Sequence, residues 1–229
     1  MAADGARTGG PIARALSLLA LLAVPAAGGE IRGVVQLTAE GGARVSRGVE
    51  ESVVAFQPDR RVTVEVPETP AVMATSRKQF QPQVLIVARG AEVRFPNFDP
   101  ILHNVFSVSP GSQFDLGVYG RSDGASFTFE RPGLVRIYCN VHRSMFAYVL
   151  VLDTPFYTRP DRSGRFRLSD LPEGPGTLIL WHPRGDFDTL RVEPSAVLDD
   201  VEIEISKHTI PPHLDKFGRP YRAARDRYN

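Results

Sequence analysis

Apolar and polar residues alternate in short runs along most of this chain. Val62, Val64 and Val66 form one such run, and Ala91, Val93 and Phe95 another. Ala125, Phe127 and Phe129 form a third, and Val201, Ile203 and Ile205 a fourth, with mostly polar or charged residues between. A repeat of two puts one set of side chains on one face of an extended backbone and so predicts half-buried strands. Turn-forming pairs separate the runs: Arg89-Gly90, Pro110-Gly111, Pro132-Gly133 and the stretch Asp161 to Gly164. Beyond the first 28 residues no run has the spacing of an amphipathic helix. The pattern predicts an all-β chain, with antiparallel sandwiches as the default architecture.

Composition adds to this picture only in part. The 229 residues suffice for one large or two small domains. A hydrophobic content of 42% with 23% charged residues is that of an ordinary globular protein. The net charge of +1 gives no overall field directed at nucleic acid or an anionic membrane. Residues 1–28 have the order of a cleavable export signal: Arg7 and Arg14, then the apolar run ALSLLALLAV, then Ala26, Ala27 and Gly28. The run is too short to span a bilayer comfortably, so the rest of the chain is expected to be periplasmic or otherwise exported, without membrane insertion. Residues 70–152 read as one compact strand-rich unit, flanked by strand-rich segments 29–69 and 153–206. The stretch VPETPAVMATSR reads as a linker, and residues 207–229 as a polar, basic, mobile tail.

Candidate chemistry changes the picture most. A single cysteine, Cys139, excludes a disulfide within the chain. It stands in LVRIYCNVHRSMFAYVL, where Val135, Ile137 and Cys139 share parity and point to the interior face. His142 follows three residues on and Met145 three further, a spacing at which one tight loop can turn thiolate, imidazole and thioether toward a point. A fourth donor is His103, upstream in FPNFDPILHNVFSV, because neighbouring strands of a sandwich come from distant positions. Two imidazoles, a thiolate and a weak thioether suit copper, whereas zinc rarely takes a thioether and would leave Met145 unexplained. His182, His208 and His213 have no such company and read as structural or tail residues. Met73 reads as a linker residue.

The segments FQPQVLIVARGAEVRFPNFDPILHNV and FERPGLVRIYCNVHRSM resemble the cupredoxins, especially the plastocyanin and amicyanin group. The resemblance implies a Greek-key β-sandwich holding one type 1 copper ion through His103, Cys139, His142 and Met145. It implies that Asn104 ties the two ligand loops together. Arg143 and Ser144 depart from the family, which often has proline there. It also implies electron transfer through the edge of His142 to a transient redox protein, with Phe98, Pro100, Ile101 and Phe146 as an apolar rim. Four filled positions argue against an enzyme. A copper carrier or sensor with the same ligands is the rival reading. EIRGVVQL, SVVAFQPD and RSGRFRLSDLPEGPGTLILWHP are similar to carboxypeptidase-regulatory-like (transthyretin-like) domains, which implies a second small Ig-like β-sandwich formed by the flanking segments.

Overall fold

A computed structural model describes residues 28–206 and 215–219. The export segment therefore lies outside the described residues apart from Gly28, as do His208 and His213 and most of the tail. The described residues are almost entirely strand and turn, in agreement with the all-β expectation. No helix among them is long and apolar enough to cross a membrane.

The strands form four sheets. In the first, Gly29–Ala39 lies between Arg165–Leu171, antiparallel, and Val197–Ile205, parallel. The second runs Tyr157–Thr158, Val53–Pro58, Gly176–Trp181, Asp188–Val192. The third runs Phe114–Tyr119, His103–Ser107, Gly133–Tyr138, Phe146–Leu152, Val84–Ala88. The fourth runs Ser122–Thr128, Glu92–Asn97, Ala74–Ser76, Gln79–Gln81.

Three apolar layers glue these sheets together. Ile31, Leu37, Phe56, Phe166, Leu178 and Ile203 fill the space between the first and second sheets. Val93, Phe95, Val105, Ile137, Cys139 and Val149 do so between the third and fourth. The remaining layer joins the two sandwiches: Val53, Ala55 and Trp181 of the second sheet meet Tyr148, Leu150 and Leu152 of the third. The inner strands are therefore buried on both faces. Along Phe146–Leu152, Ala147, Val149 and Val151 face one core while Tyr148, Leu150 and Leu152 face another. That double burial is why FAYVLVL and VVAF are unbroken apolar runs rather than alternating ones.

Two expectations need correction. Val62, Val64 and Val66 do not form a strand; residues 61–67 carry no ladder. Their alternation instead turns Val62 and Val64 partly inward while the extended backbone crosses a groove of about 470 Å³ beside Ile86, Leu152 and Tyr157. VPETPAVMATSR is a linker only up to Pro70. Ala71–Val72 and Ala74–Ser76 pair with Glu92–Asn97, and the Met73 side chain is fully buried in the core beside Phe80 and Phe95.

Candidate metal centre

Cys139 lies one residue past the end of Gly133–Tyr138, so strand parity carries its sulfur into the core between the third and fourth sheets. The chain then turns back. The Met145 N–H donates to the His142 carbonyl at 3.0 Å, and the Cys139 N–H to the Met145 carbonyl at 3.2 Å. These two bonds close the loop through the exposed Arg143 and Ser144, and Phe146 starts the next strand. Met145 is buried in the same apolar cluster as Cys139.

His103 opens the strand His103–Ser107 and is fully buried. The loop before it is shaped by buried Asn97. Its Oδ1 accepts from the Asp99 N–H and the Thr75 hydroxyl, and its Nδ2 donates to the Ile101 carbonyl, each at 2.9 Å. Asp99 then turns inward, and its carboxylate holds His103 Nε2 at 2.8 Å. The same carboxylate accepts the N–H groups of Arg77 and Lys78 at 2.7 and 2.9 Å. Both residues sit in the left-handed region, with φ of 53° and 57°, which non-glycine residues seldom adopt. One side chain thus clamps a tight turn and orients a histidine. Burial alone would raise the Asp99 carboxyl, but the Lys78 amide, the His103 ring and the Arg77 amide outweigh it and hold the group below its usual value. With Nε2 bound to a carboxylate, the His103 proton stays on that nitrogen and leaves Nδ1 as a lone pair.

Among the described residues, His103, Cys139 and His142 form one group close enough to hold a metal ion. The two Nδ1 atoms are 3.1 Å apart, and Cys139 Sγ is 3.9 Å from each. In the plane of that triangle, a point about 2.0 Å from both nitrogens lies about 2.3 Å from the sulfur, matching metal–imidazole and metal–thiolate bond lengths. His142 is held below the ordinary histidine value by burial, then by His103 and Lys78, so its ring stays neutral and able to ligate to lower pH. The Asn104 N–H points at Cys139 Sγ from 3.4 Å, as a donor stabilising a thiolate would. The donors fit a small transition-metal ion, and buried Met145 beside a His₂Cys plane fits copper better than zinc.

The structure thus gathers His103, Cys139 and His142, buries Met145 with them and packs Asn104 against the sulfur. Asn104 Oδ1 also accepts the Asn140 N–H at 3.3 Å, linking the two loops. The anticipated rim is only partly there. Phe98 and Pro100 are exposed and Ile101 half-buried. Phe146 is not rim: it leans into the layer between the sandwiches, its ring 5.9 Å from that of Tyr148. It follows Met145 directly into a strand whose even-numbered side chains face the second sheet. Leu102, Val118 and Val141 are exposed instead, next in sequence to His103 and His142 or paired with Asn104. Asp99 carries a legible signal, a carboxylate four residues before a candidate ligand, and its hold on His103 follows from the structure. Asp115 and Lys216 gave no signal.

No family model matches this chain, and no curated protein matches it. Solved structures do. A copper-containing nitrite reductase from Thermus scotoductus SA-01 aligns at 21% identity and a TM-score of 0.36, over 42% of this chain and 25% of that one. A reduced, Cu(I) form of an amicyanin mutant aligns at 21% and 0.35, over 43% of this chain and 99% of that one. A purple cupredoxin from Nitrosopumilus maritimus aligns at 23% and 0.30, over 36% and 99%. The matched part of this chain thus spans a quarter of the reductase and nearly all of the two small proteins.

Proposed function

We propose that this chain is an exported type 1 copper protein that carries single electrons between redox partners. The observation that carries this reading is the triangle of two imidazole Nδ1 atoms and one cysteine sulfur, set in an apolar core beside Met145. Copper held there supplies a one-electron couple. The protein's own part is to keep the donors still. Asp99 fixes the His103 ring, the Cys139–Met145 loop is closed by two backbone bonds, and Asn104 braces the sulfur. Thiolate and thioether suit the reduced ion and imidazoles the oxidised one, so a fixed compromise needs little movement on electron exchange.

Electrons leave through the half-buried His142, which reaches the surface while His103 does not. Exposed Val141 precedes His142 in the chain, exposed Leu102 precedes His103, and exposed Val118 pairs with Asn104. Arg77 and Lys78 crown the turn on Asp99, and Arg121 donates to the Phe98 carbonyl at 2.8 Å. An apolar surface edged by these cations suits brief docking of a redox protein with an acidic face.

Adding Cu(II) to the purified protein and recording visible absorption and EPR tests the site. An intense thiolate-to-copper band with narrow hyperfine splitting is expected, and Cys139→Ser should abolish it. A colourless copper adduct, or a band that survives the substitution, overturns the assignment. Electron self-exchange measured on the same sample separates the readings: fast exchange supports the shuttle, and slow exchange with ready transfer of copper to an acceptor supports a carrier.

A further inference from the structure

Residues 215–219 fold back onto the metal centre. Asp215 organises this short turn by accepting the N–H groups of Phe217 and Arg219, both at 2.9 Å. The turn presents Lys216 in two directions at once. Its ammonium donates to Asp115 Oδ2 at 2.6 Å, and its backbone N–H donates to Asn140 Oδ1 at 3.3 Å. These residues of the expected mobile tail thus make defined contacts beside the metal centre.

Both contacts belong to one closed ring of hydrogen bonds. Asp115 Oδ1 accepts from Asn104 Nδ2 at 2.7 Å. Asn104 Oδ1 accepts the Asn140 N–H, and Asn140 Oδ1 accepts the Lys216 N–H. The ring touches the site at its most sensitive atom, because the Asn104 N–H points at Cys139 Sγ. Asn140 follows Cys139 in the chain, so both sides of the sulfur are tied to the same circuit.

We propose that Lys216 is a positioning residue of the metal centre, neutralising Asp115 and holding Asn104 so that the site favours its reduced state. The proposal rests on the copper reading above. As a plain surface ion pair, with the side chains 21% and 38% exposed, Lys216 and Asp115 add little to overall stability. Their effect lies in placement. Asp115 is one side chain removed from the thiolate, and an uncompensated carboxylate there would favour the more positive, oxidised ion. Asp115 is held below its usual value in spite of burial, by Lys216, then Asn104 and the Gly117 amide, so it is a carboxylate at neutral pH.

The test compares Lys216→Met, Lys216→Arg, Asp115→Asn and the Lys216→Met/Asp115→Asn double variant as full-length, copper-loaded proteins by voltammetry. Lys216→Met should weaken the preference for Cu(I) by three- to tenfold, about 30–60 mV downward for a one-electron couple. Lys216→Arg should stay near the parent. Asp115→Asn should move the potential upward, and the double variant should return toward the parent. A merely structural pin would shift both single variants the same way and the double variant furthest. That pattern, or no shift with Lys216→Met, overturns the proposal. Amide exchange in the metal-free protein provides a readout independent of copper: Lys216→Met should speed exchange at the Asn140 N–H. Faster exchange without a blue band would sink the copper reading and keep the ring, whereas unchanged exchange removes the ring itself.

Discussion

Each of the two sandwiches buries a histidine, and the two are treated in opposite ways. His182, between the first and second sheets' elements, has both ring nitrogens bound to backbone: Nε2 donates to the Gly48 carbonyl and Nδ1 accepts the Arg184 N–H, each at 3.1 Å. Burial pushes it down to about 4. His103 is just as deeply buried, yet only Nε2 has a fixed partner, Asp99. Its Nδ1 faces another imidazole and a cysteine sulfur. Two facing Nδ1 atoms can share one proton or replace it with a cation, and they cannot both keep a hydrogen. Burial therefore does not distinguish a ligand from a structural histidine. The second nitrogen does: closed off by backbone in one sandwich, aimed at converging donors in the other.

The contrast can be broken most forcefully at the layer between the sandwiches. Trp181→Ala removes the largest side chain there and is expected to cost about 3–5 kcal/mol. Urea denaturation of the metal-free protein measures it. The visible band of the copper-loaded variant should be unchanged, and loss of that band would mean that the metal site depends on its neighbour's packing. A second test uses acid. The folded-state value of His182, about 4, is below the 6.5 of a free ring, so the unfolded chain takes the proton first. Its contribution is complete above 6.5 and disappears as pH falls from 6.5 to about 4, by roughly 3 kcal/mol. Denaturation midpoints across that window should fall less in His182→Gln than in the parent; equal falls would refute a neutral, buried His182. The smallest effect sharpens the other half of the contrast. Asp99→Asn leaves one fewer acceptor for the Arg77 and Lys78 amides and loosens the His103 ring. Copper affinity, measured by chelator competition, should drop about 10–100-fold, and an unchanged affinity would show that His103 is oriented by packing alone.

The donor residues were legible because three of them fall within one short loop, at a spacing that few structural patterns produce. The strands at Ala91–Phe95 and Val201–Ile205 were legible because one face of each meets solvent. Where both faces are apolar the period of two carries no contrast, so the pattern does not tell which face of its strand Phe146 takes. Val62, Val64 and Val66 show the converse failure, since alternation reports an extended backbone with one covered face and not a hydrogen-bonded partner. Asp115 and Lys216 were beyond reach for a different reason. Their pairing joins distant parts of the chain, and neither residue carries chemistry that stands out without the other.

The first sheet has a consequence for the order in which the chain assembles. Gly29–Ala39 runs parallel to Val197–Ile205, so its partner is among the last strands to be synthesised. Every strand of the third and fourth sheets lies between Ala71 and Leu152. That unit can find its partners locally while the opening strand still waits, because closing the long loop back to Val197 carries the greater entropic cost. The metal-binding sandwich is therefore expected to close before the flanking one. Until the flanking sandwich closes, the outer faces of Tyr148, Leu150 and Leu152 remain uncovered, an apolar surface on which partly folded chains can associate.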